Sequence, residues 1–178
     1  MEAPHDSRNL IDAYKGKSID AIVADLDTDA ISLEIALDNV SRDYNMGTIV
    51  RSANAFGVRH VHIIGSRQWN KRGAMMTDKY LHVHYYANAD SFVAAMRQYK
   101  KRLIAVDNCE DASLLSEALL PEDCVLLFGA EGPGISEKLR NYAEQTVAIE
   151  QFGSTRSINV GVAAGIAMYA WLQQHVLN

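Results

Sequence analysis

The chain has 178 residues, 48% of them hydrophobic and 22% charged, which is the composition of one compact globular domain and not of a disordered chain. Its net charge is -5, and its two cysteines, Cys109 and Cys124, are too few for a disulfide framework or a zinc site, which fits a reducing cytoplasm. The sequence opens without a basic, apolar leader and nowhere approaches the roughly 20 apolar residues of a membrane span, so the expectation is a cytoplasmic protein without membrane contact.

Residues 1–30 are polar and acidic, with an apolar rhythm at Leu10, Ile11, Tyr14, Ile19, Ile22 and Val23, and read as a helical N-terminal extension packed on the outside of a domain spanning 31–178. Ser32–Leu37 reads as a short strand, and Met46–Phe56 as a helix closed by Gly57 in the left-handed region. His60–Ile64 is a strand, followed by a polar loop over Ser66–Gly73 and a further strand over Tyr80–Tyr86. Ser91–Lys101 is a helix with Phe92, Ala95, Met96 and Tyr99 facing inward. Leu103–Val106 and Val125–Phe128 are continuous apolar runs, as buried parallel strands require. Gln145–Ile149 is another strand, and Ser157–His175 a long closing helix. Strands alternating with helices predict an α/β domain with a mainly parallel sheet flanked by helices.

Three segments carry chemistry. In NVSRDYNMGTIVRSANAFGV, residues 39–58, Asn45 and Gly47 lead from a strand into a helix that carries Arg51. Open α/β sheets bind ligands at that edge, where an arginine suits a phosphate or a developing oxyanion. In LLFGAEGPGIS, residues 126–136, a buried strand runs into Gly129, Gly132 and Gly134 around one acid, Glu131. Glycines there allow left-handed turns and close approach of a ligand to the backbone. The glycine fingerprint and ribose-binding acid of a nicotinamide-binding fold are absent, which rejects an oxidoreductase. In IEQFGSTRSINVGVAAGIAMYAW, residues 149–171, Ser157 reads as the N-terminal residue of the last helix with Asn159 in its first turn. The small residues Gly161, Ala163, Ala164, Gly165 and Ala167 then let another backbone pack close.

In this order and spacing, Asn45/Arg51, Gly129-x-Glu131 and Ser157-x-Asn159 resemble the three signature motifs of the SpoU/TrmH family of RNA ribose 2'-O-methyltransferases, within the SPOUT class. The resemblance runs from about Ile31 to Trp171. It implies an α/β fold whose C-terminal part, roughly Val125 to Trp171, is tied into a deep trefoil knot. It also implies S-adenosylmethionine as methyl donor, bound bent and largely through backbone at Gly129, Ile149 and Ile158, with Val106 on the adenine side. By the same resemblance Arg51 activates the ribose 2'-OH. Because a guanidinium stays protonated, it does so by binding the adjacent phosphate and stabilising the forming alkoxide. Asn45, Glu131, Ser157 and Asn159 match the remaining polar site residues. A sulfonium methyl is already an activated electrophile, so the reaction needs alignment and removal of one proton but no metal.

The family resemblance further implies a homodimer whose active sites draw on both subunits, and an RNA substrate, either tRNA or rRNA. Eleven Lys/Arg against three Asp/Glu between Arg42 and Arg102 leave a basic middle third in an acidic chain. Arg42, Arg67, Lys71, Arg72, Lys100, Lys101 and Arg102 are therefore the expected RNA-backbone contacts. Ile158 and Gly161 stand where leucine and serine are frequent in the family. Two other functions remain open on the sequence. One is a catalytically silent RNA-binding or ribosome-assembly factor of the same fold. The other is a knotted methyltransferase acting on a base nitrogen. Histidines 60, 62, 82 and 84 alternate along two strands and read as half-exposed strand residues, not metal ligands.

Overall fold

The structure is a computed structural model that describes residues 6–38, 44–65, 68–130 and 132–177. The expected RNA contacts Arg42 and Arg67 and the expected site residue Glu131 lie outside the described residues. Seven strands among the described residues form one parallel sheet: β1 (Glu34–Asp38), β2 (His60–Ile64), β3 (His82–Tyr86), β4 (Arg102–Val106), β5 (Ser113–Leu114), β6 (Cys124–Phe128) and β7 (Gln145–Ala148). Their spatial order is β3-β2-β1-β6-β4-β7-β5. Every registered pair is parallel, for example Ile35 with Leu126 and Ile104 with Leu126. β1 and β6 are buried along their whole length, because helices cover both faces of the sheet. No helix among the described residues is long and apolar enough to cross a membrane.

The helices are α1 (Ile19–Thr28), α2 (Tyr44–Ala55), α3 (Ala89–Gln98), α4 (Glu137–Arg140) and α5 (Val160–His175). α2 and α5 cover one face, where Ile49, Val50, Ala53, Ala164, Met168 and Trp171 pack on Ile35, Leu37, Ile104 and Leu126. α3 and α4 cover the other, with Phe92, Val93, Met96 and Leu139 on Ala36, Ala105, Val125 and Leu127. Gly57 closes α2 with φ 81°, the left-handed cap read from the sequence. Cys124 lies within the β6 core, and burial pushes its thiol up to about 12, which leaves it unreactive at neutral pH.

The sequence reading did not include the two-residue strand β5 or the one-turn helix α4, and the structure departs from it in further places. Tyr99 is not inward: α3 ends at Gln98, Tyr99 is its 64% exposed C-cap, and Val93 takes the core position instead. The loop read over Ser66–Gly73 runs into a 3-10 turn at Lys71–Ala74, and a second 3-10 turn over Thr77–Tyr80 takes Tyr80, so β3 begins at His82 and not at Tyr80. His62 is not half-exposed but 3% exposed, because the Glu34 carboxylate of β1 and the Tyr86 hydroxyl of β3 meet it from either side. With the Glu34 carboxylate ionised, His62 Nε2–H donates to Glu34 Oε2 at 2.6 Å, and Lys101 pairs with the other Glu34 oxygen at 2.9 Å.

The four histidines form a stack along β2 and β3. His60 lies over His82 and His84, with centroids 5.0 and 5.3 Å apart, and His62 over His84 at 5.0 Å. His60 Nδ1 and His84 Nε2 are 3.0 Å apart, so one proton is shared where two would repel. His82 Nε2 and the buried Arg59 both reach Asp27, pinning α1 to the sheet edge. Burial, followed by the neighbouring His62 and His60, lowers His84 to about 4, and burial also lowers His60. Burial pushes the Glu34 carboxyl up, but the bonds from His62 and Lys101 outweigh it and hold the group at about 2. Among the described residues, no group of three or more His, Cys, Asp or Glu could hold a metal ion.

The stack sets a direction for acid sensitivity. Between the unperturbed value of 6.5 and the folded value of about 4, the unfolded chain binds a proton at His84 that the folded chain refuses. Stability should therefore be complete above pH 6.5 and fall as the pH drops toward 4. Urea midpoints at about pH 7.5, 6.5 and 5.5 should decline in the wild type and decline less in His84→Gln. Equal declines in both proteins would remove the stack as their origin.

Candidate active site at the carboxyl edge of the sheet

A cleft of about 570 Å³ opens where β4, β6 and β7 end and α5 begins. This is the edge at which open α/β sheets bind ligands. Val106, Gly129, Ile149 and Ile158 all line it, as do Ser157 and Asn159. The sequence-derived positions from the second and third motifs thus converge on one space, with Glu131 outside the described residues.

The glycine loop is shaped by an unusually close return of the chain. A Cβ on Gly129 would sit 2.1 Å from the carbonyl carbon of Gly134 and 2.2 Å from the Ile135 nitrogen, so no larger residue fits. Gly132 and Gly134 take φ 94° and 72°, and the Gly134 N–H donates to Ala130 O at 3.0 Å to close the loop. Two charged residues that the sequence reading did not single out hold the return. Asp107 Oδ2, just past β4, accepts the Ile135 N–H and Arg140 Nη2, both at 3.2 Å. Arg140 Nη2 also donates to Ile135 O at 3.1 Å. Both polar groups of Ile135 are therefore held by one ion pair. An acid directly after a buried strand was a signal available for Asp107; nothing local marked Arg140. On the other side of the loop, Asp38 Oδ2 accepts the Ser136 N–H at 2.8 Å.

Asn159 joins the first motif to this cleft. It is the N-cap of α5, its Oδ1 accepting the N–H groups of Gly161 at 2.9 Å and Val162 at 3.3 Å. Its Nδ2 donates to Asn45 Oδ1 on α2 at 2.9 Å. Ser157 is therefore not the N-terminal residue of the helix but part of the preceding loop, because the Asn159 amide supplies both the cap and the cross-link. The neighbouring loop is tied down by Asn108 Nδ2, which donates to Arg156 O at 3.0 Å. Gly161 lets α5 approach α2: a Cβ there would be 3.3 Å from Thr48 Cγ2. Gly165, expected to admit a passing backbone, faces open space among the described residues.

Arg51 is exposed on α2 and is not among the residues that line the cleft. It lies six residues beyond Asn45, about 9 Å along the helix axis. The expected RNA contacts divide between the two edges of the sheet. Lys71 and Arg72 sit on the turn that follows β2, with Lys71 Nζ 2.7 Å from Asp78. Lys100, Lys101 and Arg102 lie at the start of β4, whose far end lines the cleft, so the structure does not bring them to it. Lys101 is paired with Glu34 and Asp123, and Arg102 with Glu144.

A model of the SpoU rRNA methylase family matches residues 32–169. The chain belongs to this family. Two relatives are named tRNA (guanosine(18)-2'-O)-methyltransferase. The Escherichia coli protein is 26% identical over 140 residues, covering 77% of this chain and 61% of its own length. The Thermus thermophilus protein is 30% identical over 152 residues, covering 81% and 76% respectively. A structure described as giving insight into 2-OH methylation of C/U34 on tRNA superposes with a TM-score of 0.73 at 26% identity, over 82% of this chain and 97% of its own. This member of the SpoU family therefore spans 61% of the E. coli relative's length.

The two roles of Asn159 are separable. Asn159→Ala removes both cap and cross-link and should cost about 1 kcal/mol of stability. Asn159→Asp keeps the cap acceptor but loses the donor to Asn45, so it should recover most of that loss. Urea melts of the three proteins check this ordering; equal loss in both variants would place the stabilisation in the Asn45 bond instead.

Proposed function

We propose that the chain transfers a methyl group from S-adenosylmethionine to a ribose 2'-OH of tRNA or rRNA. The observation that carries this reading is the Asn159–Asn45 bond at the mouth of a glycine-walled cleft, which joins the first and third family motifs at one site. Membership of the SpoU methylases supports it, as do the names of the E. coli and T. thermophilus relatives. A cleft of about 570 Å³ suits a nucleoside-sized ligand, and its peptide-rich walls at Gly129 and Ile158 suit recognition through backbone groups. S-adenosylmethionine supplies the activated methyl group when bound.

The chain's own residues then have three tasks. The loop at Gly129–Ile135, fixed by Asp107 and Arg140, shapes the donor pocket and excludes water. Asn45, Ser157 and Asn159 hold the mouth, with Glu131 orienting Arg51 or nearby amides. Arg51 binds the phosphate beside the target ribose and stabilises the alkoxide as it forms, while phosphate or water takes the proton. No step calls for a metal.

In this reading the segment from Val125 to Trp171 closes as the trefoil knot of the family, and residues 1–30 form an extension outside the methyltransferase domain. Two copies associate through α5, where Val162, Ile166 and Tyr169 are exposed at helical spacing and Tyr169 meets Phe56. Arg51, displaced from its own cleft, then contributes to a site shared across the dimer. Two free cysteines suit a cytoplasmic setting.

Purified protein incubated with labelled donor and total RNA should yield a 2'-O-methylated nucleoside. Arg51→Ala should lower the rate by about 100-fold or more while donor affinity measured by calorimetry holds. A labelled base in place of a labelled ribose would reassign the chain to the base-methylating class. Donor binding without transfer to any RNA would sink the catalytic reading.

A further inference from the structure

The segment from Gln68 to Tyr80 presents an apolar corner that the described residues leave uncovered. Met75 and Met76 are 53% and 48% exposed, and both take left-handed backbone, with φ 49° and 66°. Glycine would occupy such positions without strain, yet both carry long apolar side chains. The corner is forced outward by what flanks it. Ala74 is fully buried, and Gly47 of α2 presses on its nitrogen so tightly that a Cβ would lie 2.6 Å away. Thr77 is buried on the other side, its Oγ1 donating to Ala74 O at 2.7 Å, and Tyr80 is buried behind it.

The segment itself is basic, although the acidic helix α1 packs against its Thr77–Tyr80 turn. Lys71, Arg72 and Lys79 stand against one acid, Asp78, whose side chain is 8% exposed and tied to Lys71. The Lys71 ammonium also lies 5.4 Å from the Trp69 ring centroid. Gly47 and Arg51 are one turn apart on the same face of α2, so the corner docks beside the exposed arginine. An apolar point within a rim of cations is complementary to nucleic acid, whose phosphates meet the cations while an unstacked base meets the apolar side chains. A second copy of this chain would bring the same positive rim against itself.

We propose that the Met75–Met76 corner is a nucleobase contact that positions the substrate RNA beside Arg51. The proposal rests on the reading that the substrate is RNA. Strained backbone is retained there because the side chains serve the RNA and not the fold.

The test uses the full chain with unfractionated tRNA and rRNA, taken separately, in the methyl-transfer assay. M75G/M76G relieves the left-handed strain, so its melting temperature should be unchanged or higher, with donor affinity unchanged. Its KM for RNA should rise about tenfold. The salt dependence of RNA binding should stay that of the wild type, whereas R72A/K79A should flatten it. M75Q/M76Q keeps the side-chain length and the strain, and should show the same rise in KM, which guards against a folding artefact. An active wild type with an unaltered KM in both methionine variants would overturn the proposal while leaving the proposed activity intact. A methionine variant that becomes monomeric in sedimentation, from a dimeric wild type, would reassign the corner to a subunit contact. A wild type that binds no RNA would overturn this proposal and the proposed function together.

Discussion

β4 and β6 deliver their carboxyl ends side by side, and the chain that leaves β6 must turn back almost onto itself before it reaches α4. The space that a Gly129 Cβ would need is already filled by Gly134 and Ile135. The shape of the cleft depends on that closure. Once the loop is so tight, its backbone groups need partners, and Asp107 with Arg140 satisfies both of those on Ile135. The ion pair spans from the end of β4 to α4, so the loop is fixed against two elements of the sheet-and-helix frame and moves little relative to the strand ends.

A second series of close approaches carries positional information sideways. α5 nears α2 at Gly161 and Thr48, and α2 nears the 71–74 turn at Gly47 and Ala74. Asn159 adds a directional bond to the first of these contacts. Glycine at each crossing keeps the helices within reach of one another, so the cleft, the Asn45 mouth and the turn at Lys71–Ala74 are linked through successive close contacts. The histidine stack lies on the opposite face of the sheet and toward its other edge, sharing no residue with the cleft.

Six of the seven strands among the described residues were legible because their signals are local, whereas the two residues of β5 carry none. Leu103–Val106 and Val125–Phe128 are apolar on both faces, and only a strand covered on both sides tolerates that. The cleft residues Gly129, Ile149 and Ile158 were legible through the motifs, since strand-to-loop glycines mark the carboxyl edge. What escaped is set by partners distant in sequence. Ser157 and Asn159 are both good helix caps, and the choice between them was made by Asn45, more than a hundred residues away. His62 alternates like its neighbours, but Glu34 of β1 and Tyr86 of β3 meet it, and Lys101 pairs with that Glu34 carboxylate. Tyr99 fits an apolar helical rhythm that the helix itself does not continue. Arg140 carries no pattern at all, because its role comes from where Asp107 and Ile135 meet.

The strand order also bears on the order of events during synthesis. β1 pairs on one side with β2, which follows it closely, but on the other with β6, through partners such as Ile35 and Leu126. At about 5–20 residues per second, the ribosome needs roughly 5–20 s to supply that partner. From the completion of β3 until β6 is made, the β1–β3 half-sheet has an unpaired β1 edge, buried in the finished fold and free to pair with any extended segment nearby. The nascent chain is thus most exposed to wrong association between the completion of β3 and that of β6, before any of the ligand-binding loop has been made.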